Sequence, residues 1–250
     1  MHNQSTSSTA LVTGATSGIG KAIVIALSEA GHRVVALGRN PDELDSLSAL
    51  PGVTALQADV CDHASMAALV EQYQPEILVN NAGILSTRAA FPEIDPVEID
   101  RMLDINLKAP LHLARHALPA MVSRGKGHLF FIGSSAGRAA HPNAAVYGAS
   151  KAGISLFCDA LRCDLLGSGV RVTEIAPGRV QTQLYRTAIS AETLQSELYD
   201  GYESIQPEDI AQLLLTALQM PAAVDVSRME VFPTSQATGG GRMVKTRSPD

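Results

Sequence analysis

Short apolar runs alternate along the chain with longer stretches in which apolar residues recur every three or four positions. The runs are ALVTG (10–14), RVVALG (33–38), VTALQAD (53–59), EILVNNAG (76–83), HLFFIGSS (128–135), VRVTEIAPG (170–178) and SRMEVFP (227–233). Most are β-branched or leucine-rich, and most close on Gly, Asp, Asn or Ser. Strands of a parallel sheet covered on both faces have this composition, because neither side of the strand meets water and the in/out alternation fades. Between the runs, Ile19, Ala22, Ile23, Ala26 and Leu27 fall at helical spacing, and Gly31 follows as a stop. A second helix starts near Pro96 with Ile99, Met102, Leu103 and Leu107 on one face, and a third carries Val146, Ile154, Phe157 and Leu161. Seven strands with intervening helices predict right-handed crossovers. The fold class is therefore α/β: a doubly wound, Rossmann-like fold with a seven-stranded parallel sheet and helices on both faces.

No linker or repeat interrupts this alternation, so residues 9–238 read as a single domain, with flexible tails at 1–8 and 239–250. Residues 183–206 are more polar, follow a Pro-Gly, and precede the last helix and strand, which suits a substrate lid. Composition narrows the function classes. Hydrophobic residues make up 46% of the 250-residue chain and charged residues 18%, enough for a large core. The net charge of −6 gives no basic footprint for nucleic acid or an anionic membrane. No stretch approaches the roughly 18 apolar residues of a membrane span. The start, MHNQSTSSTA, lacks the apolar centre of a signal peptide. Cys61, Cys158 and Cys163 are odd in number and contain no C-x-x-C, so neither a disulfide framework nor a zinc site is expected, and a cytoplasmic location fits.

The first strand runs into TGATSGIG (13–20), which places Gly14, Gly18 and Gly20 at a strand-to-helix turn. Such a turn lets backbone N–H groups approach a pyrophosphate, and the helix N-terminus favours negative charge. A glycine-rich turn that merely packs helix on strand is the other reading. The second strand ends Leu37-Gly38-Arg39-Asn40, without the acid that holds the ribose hydroxyls of NAD. A guanidinium pairs with a 2′-phosphate that a carboxylate would repel, so Arg39 favours NADP, unless it is only a solvated arginine before the Pro41 helix start. Asp59-Val60 follow the third strand; Asp59 suits an adenine amino group or a helix N-cap, the latter better filled by Asp62.

In AAVYGASKAG (144–153), Tyr147 and Lys151 lie one helical turn apart. A phenol titrates near 10, too high for an efficient base at neutrality, and an ammonium group beside it would lower that value. A lone Y-x-x-x-K is as readily a buried tyrosine with a satisfied hydroxyl. His112 and His116 stand i, i+4, but no glutamate follows the first and no third ligand is evident. His141, before Pro142, either lines a substrate site or shapes a turn, and Tyr185, Tyr199 and Tyr202 either contact substrate or pack a lid.

TGATSGIG, Asp59-Val60, NNAG (80–83), Asn106, Ser134, YGASK (147–151) and PGRVQT (177–182) occur in this order. Together they resemble the short-chain dehydrogenase/reductase family over roughly residues 9–233. The resemblance implies a catalytic set of Tyr147, Lys151, Ser134 and Asn106, with Ser134 in register thirteen residues before Tyr147. Asn106 is then expected to hold a helix backbone and a proton-carrying water. NADP(H) would lie against Gly14, Thr16, Ser17, Gly18, Ile19 and Gly20, then Arg39, Asp59 and Val60. Asn81 and Gly83 would follow, with Asn81 near the adenine-side ribose; Pro177, Gly178, Val180 and Thr182 would close the site, the last two touching the carboxamide. The small residues Gly148, Ala149 and Ala152 would leave room for the dinucleotide. The tail MEVFPTSQATGGG departs from the D-G-G ending of many relatives.

The expected function is NADP-dependent interconversion of a carbonyl (aldehyde, ketone or oxo-acid) and an alcohol, with Tyr147 as general acid/base. A non-enzymatic NADP-responsive regulator and an epimerase or dehydratase with transient hydride transfer are the alternatives. The expected partners are a small-molecule substrate and, through helices near 97–123 and 146–168, copies of the chain in a homodimer or homotetramer.

Overall fold

The computed structural model describes residues 7–188, 192, 198–238 and 242–245. Seven strands form one sheet: β1 (Thr9–Thr13), β2 (Arg33–Gly38), β3 (Val53–Gln57), β4 (Ile77–Asn80), β5 (Gly127–Ile132), β6 (Val170–Pro177) and β7 (Arg228–Val231). Their order is β3-β2-β1-β4-β5-β6-β7, and every pairing is parallel. Val12 sits between Ala36 of β2 and Val79 of β4. The chain therefore moves outward from β1 to β3, returns, and continues on the other side of β1. Brackets of this kind open a crevice at the carboxyl ends of the strands beside the reversal, here β1 and β4.

The helices are α1 (Gly18–Glu29), α2 (Pro41–Ser48), α3 (His63–Tyr73), α4 (Pro96–Leu103), α5 (Ala109–Arg124), α6 (Ala145–Asp164) and α7 (Pro207–Leu218). On one face of the sheet, α1 and α7 bury Ile23, Leu27 and Leu214 against Val12 and Phe130. On the other, α3, α5 and α6 bury Val70, Met121 and Ile154 against Leu11, Leu78 and Leu129. With both faces covered, the strands β1, β4 and β5 are buried at every position, which explains their unalternating sequences. Short polar signals start the helices. Asn40 caps α2 ahead of Pro41, Asp62 caps α3, Asp95 caps α4, and Gln206 and Asp209 cap α7 reciprocally.

Three boundaries differ from the sequence reading. The helix expected over 97–123 is α4 and α5 joined by a π-helical turn, Asp104–Lys108, that contains Asn106. Ser8, expected in a flexible tail, is buried; its hydroxyl donates to Glu76 at 3.1 Å and its carbonyl accepts from Arg33 N. Residues 242–245, expected in the other tail, fold back, with Val244 N donating to Ser235 O and Gln236 bridging Met243. Residues 1–6, 239–241 and 246–250 of those tails, and 189–191 and 193–197 of the expected lid, lie outside the described residues.

Candidate active site

A cavity of about 710 Å³ opens at the carboxyl edge of the sheet where the topology reverses. Of the catalytic and cofactor-binding residues implied by the resemblance, all line it except Gly20 and Asn106, which support its walls. At one end lies the glycine loop. Gly14 (φ +64°) and Gly18 (φ +48°) adopt backbone conformations that disfavour a side chain. At Gly20 a Cβ would meet Gly14 O at 2.2 Å and Asn81 Nδ2 at 2.5 Å. The tightness there is within the protein, between α1 and the loop, which is the packing role the sequence left open for this turn. Ser17 is the N-cap of α1, yet its side chain makes no cap bond, and the first turn holds no acid. The leading amides of α1 are left for an anion at the cavity, and Gly18 and Ile19 line it.

Thr13 organises this end and was missed in the sequence, where it read only as part of a motif. Its hydroxyl donates to Val79 O at 3.2 Å and accepts from Asn81 N and Ala82 N, both at 3.1 Å. Asn81 reaches back: its Nδ2 donates to Thr13 O and Gly14 O at 2.9 and 3.1 Å. The amide nitrogen expected near a ribose is thus engaged in tying the end of β4 to the glycine loop. Thr16, Arg39, Asp59 and Val60 line the cavity beyond. Asp59 Oδ1 accepts from Cys61 N at 2.9 Å, and Asp62, not Asp59, caps α3. Arg39 makes no ion pair with any described residue.

At the other end, α6 presents Tyr147 and Lys151 on one face, 8% and 6% exposed. Lys151 Nζ donates to Ile132 O at 2.8 Å and lies 5.9 Å from the Tyr147 ring centroid. Burial lowers the Lys151 pKa to about 8, and the buried Glu174 carboxylate opposes that. Tyr147 departs from expectation. Burial holds its phenol well above the usual value, the neighbouring Tyr185 adds to this, and only the Ser134 hydroxyl pulls it down. Desolvation dominates, so the phenol is held protonated. Ser134 Oγ accepts from Ala136 N at 3.1 Å, and its hydroxyl is also hydrogen-bonded with the Tyr147 phenol, so both side chains face one point of the cavity.

Asn106 does not line the cavity, and its side chain reaches α6 through Nδ2, which donates to Ser150 Oγ at 3.3 Å. Its Oδ1 accepts from Ile84 N and its Nδ2 donates to Ile84 O, both at 2.8 Å, fixing the segment after β4 that carries Gly83. The small residues of α6 also serve packing rather than a ligand. A Cβ at Gly148 would meet Ala136 O at 3.0 Å, and one at Gly137 would meet the Lys151 carbonyl at 2.8 Å, so these residues let the Ser135–Gly137 turn sit on the helix. Ala149 faces solvent.

Pro177 at the end of β6 and Gly178, Val180 and Thr182 after it run along the cavity wall. Gln236, a residue the sequence did not flag, accepts from Arg179 N at 2.8 Å and so fixes this wall from the C-terminal segment that replaces D-G-G. Tyr199 donates to Thr182 O at 3.1 Å, and Tyr202 stacks under the Arg179 guanidinium. Tyr185 and His141 line the cavity near Tyr147. His112 stacks on His63, ring centroids 3.9 Å apart, and no metal-holding cluster occurs among the described residues.

Comparison with known proteins agrees with this arrangement. Residues 8–193 match the model of the short chain dehydrogenase family. The chain is 49% identical over 245 residues to an uncharacterized short-chain type dehydrogenase/reductase, y4eK, of Sinorhizobium fredii, covering 98% of this chain and 99% of the relative. It is 35% identical over 239 residues to the NADP-dependent 3-hydroxy acid dehydrogenase YdfG of Salmonella typhi, covering 92% and 96%. Among solved structures, the closed form of serine dehydrogenase complexed with NADP+ superposes with a TM-score of 0.89 at 31% identity, covering 95% of this chain and all of the other, 100%. With the family match over residues 8–193 and a relative 49% identical over 98% of the chain, the chain belongs to the short-chain dehydrogenase/reductase family.

Proposed function

We propose that the protein is an NADP-dependent oxidoreductase that interconverts a small carbonyl compound and its alcohol, with Tyr147 as general acid/base. One observation carries this reading: Tyr147, Lys151 and Ser134 line one end of a continuous cavity whose other end holds the α1 amides and Arg39. Relatives that use NADP and act on a hydroxy acid support both the cofactor and the reaction type. The residues present fit NADP(H). The glycine loop offers uncapped amides to the pyrophosphate, and Arg39 offers a guanidinium, with no acid on β2, to a 2′-phosphate. Asp59 and Val60 would flank the adenine, and Val180 and Thr182 the carboxamide.

When bound, NADP(H) supplies or accepts the hydride. Tyr147 gives the carbonyl oxygen its proton, a role suited to a phenol that burial holds protonated. Ser134 turns its hydroxyl hydrogen to the same oxygen as charge develops there. Lys151 has two N–H groups beyond the one given to Ile132, and these would hold ribose hydroxyls while its charge stabilises a phenolate. Asn106 positions Gly83 and Ile84 beside them. The three free cysteines support a reducing, cytoplasmic setting. Leu156 on α6, 72% exposed, supports association through that helix into a homo-oligomer.

Tyr147→Phe tests the mechanism. It removes the proton donor without changing the packing of the ring, so kcat should fall about 10³-fold or more while NADPH fluorescence titration shows nearly unchanged binding. Turnover within about tenfold of the parent would end the general-acid assignment.

A further inference from the structure

The substrate end of the cavity carries positive charge that the chemistry above does not use. We propose that Arg179 and Arg88, together with His141, form a subsite for an anionic substituent, carboxylate or sulfonate, on the carbonyl substrate. This deepens the carbonyl-reductase reading and rests on it.

Arg88, His141, Arg179 and Tyr185 all line the cavity. Both guanidinium charges reach the same two side chains, His141 and Tyr185, and Tyr185 in turn acts on Tyr147. The two arginines therefore converge on one region beside the proton donor. Among the described residues, no carboxylate pairs with either arginine. Among the described residues Asp59 is the one acid that lines the cavity, and it belongs to the far end, where its charge and that of Arg39 act in opposite directions on Cys61.

Arg179 is built into place. Its Nη1 donates to Leu198 O at 3.0 Å, its guanidinium lies 5.6 Å from the Tyr202 ring centroid, and Gln236 holds its backbone. One of five guanidinium donors is used by Leu198, which leaves enough for bidentate recognition of an anion. His141 Nε2 is buried without a partner among the described residues. A buried ring nitrogen left unpaired is costly, and an anion bound by the arginines would supply its acceptor. Arg88 is exposed at the rim and would close on the ligand rather than anchor it.

The test compares succinic semialdehyde and sulfoacetaldehyde with the uncharged 4-oxobutanamide, following NADPH oxidation. The two anions should have KM values about tenfold or more below that of the amide. Arg179→Leu should raise the anion KM by about tenfold or more, Arg88→Leu by less, and leave the amide within about threefold. Retained amide turnover shows that the variant is folded. A binding measurement runs in parallel: calorimetry of the NADP(H)-loaded protein with butyrate and butyramide, neither of which is reducible. Butyrate should bind more tightly and lose that advantage in Arg179→Leu. Equal KM values for charged and neutral aldehydes, or equal losses on both in the two variants, would overturn the subsite while leaving carbonyl reduction intact. If no aldehyde is reduced, the carbonyl reading fails, and the butyrate comparison alone decides the anion site.

Discussion

At the scale of single residues, charge placement decides which cofactor and which protonation state the site favours. Arg39 directly follows β2, at the position where an acid would hold the hydroxyls of NAD, and it lines the cavity unpaired with any described carboxylate. Arg39→Asp should repel a 2′-phosphate and accept ribose hydroxyls. The kcat/KM ratio of NADPH to NADH should fall by about 100-fold, the sum of a lost attraction and a gained repulsion. Initial rates with each cofactor check this, and an unchanged ratio would remove Arg39 from cofactor selection. Tyr147 and Lys151 show where single-residue reasoning from sequence stops. Their spacing on one helix face was readable. The direction of the Tyr147 shift was not, because desolvation depends on Tyr185 and on the burial of both groups, which come from the assembled fold.

At the scale of elements, the strands and most helices were legible because each carries its own signal. Unalternating apolar runs marked β1, β4 and β5, and Pro41 and Pro96 marked the starts of α2 and α4. What was not legible is how elements brace one another. Thr13 and Asn81 join the ends of β1 and β4, and Gln236 reaches the loop after β6 from the segment that departs from the D-G-G ending. These are contacts between residues about 60 positions apart, and no local pattern encodes them. The π-helical turn is a further case: a helical repeat predicts one long helix, and the extra residue that rotates Asn106 toward Ile84 leaves no trace in the spacing. That brace predicts a measurable cost. Asn106→Ala strips both bonds from the Ile84 backbone and leaves its N–H and C=O unpaired in a half-buried segment, for about 2–4 kcal/mol of stability. Urea denaturation should show the loss, and amide exchange at Gly83 and Ile84 should accelerate more than at β5. A loss under about 0.5 kcal/mol would mean that the segment holds its shape without Asn106.

At the scale of the whole molecule, the doubly covered sheet imposes a pH dependence of its own. His128 lies on β5, 2% exposed, with its ring 3.9 Å from that of Phe130 and its Nε2 2.8 Å from Thr173 Oγ1. Burial, reinforced by the Arg171 charge, lowers its pKa from 6.5 to about 2. The folded protein therefore keeps this imidazole neutral at pH values where the unfolded chain protonates it. Between the two values the unfolded state binds more protons, so stability falls as pH drops below about 6.5, and above that value the group has no effect. The expected loss from His128 alone is about 2 kcal/mol between pH 7 and pH 5. His32, His112 and His141 are lowered too, but each keeps more contact with solvent and contributes less. His128→Gln keeps a side-chain nitrogen within reach of Thr173 and cannot titrate. Its stability at pH 7 falls through imperfect packing, yet its pH slope should be shallower than the parent's by that same about 2 kcal/mol. Urea midpoints of both proteins at pH 7, 6 and 5 measure the difference directly. Parallel curves would mean that the buried imidazole is protonated in the fold or opens to water before it titrates, and a core that admits water there would not be the continuous two-layer packing from which the site is hung.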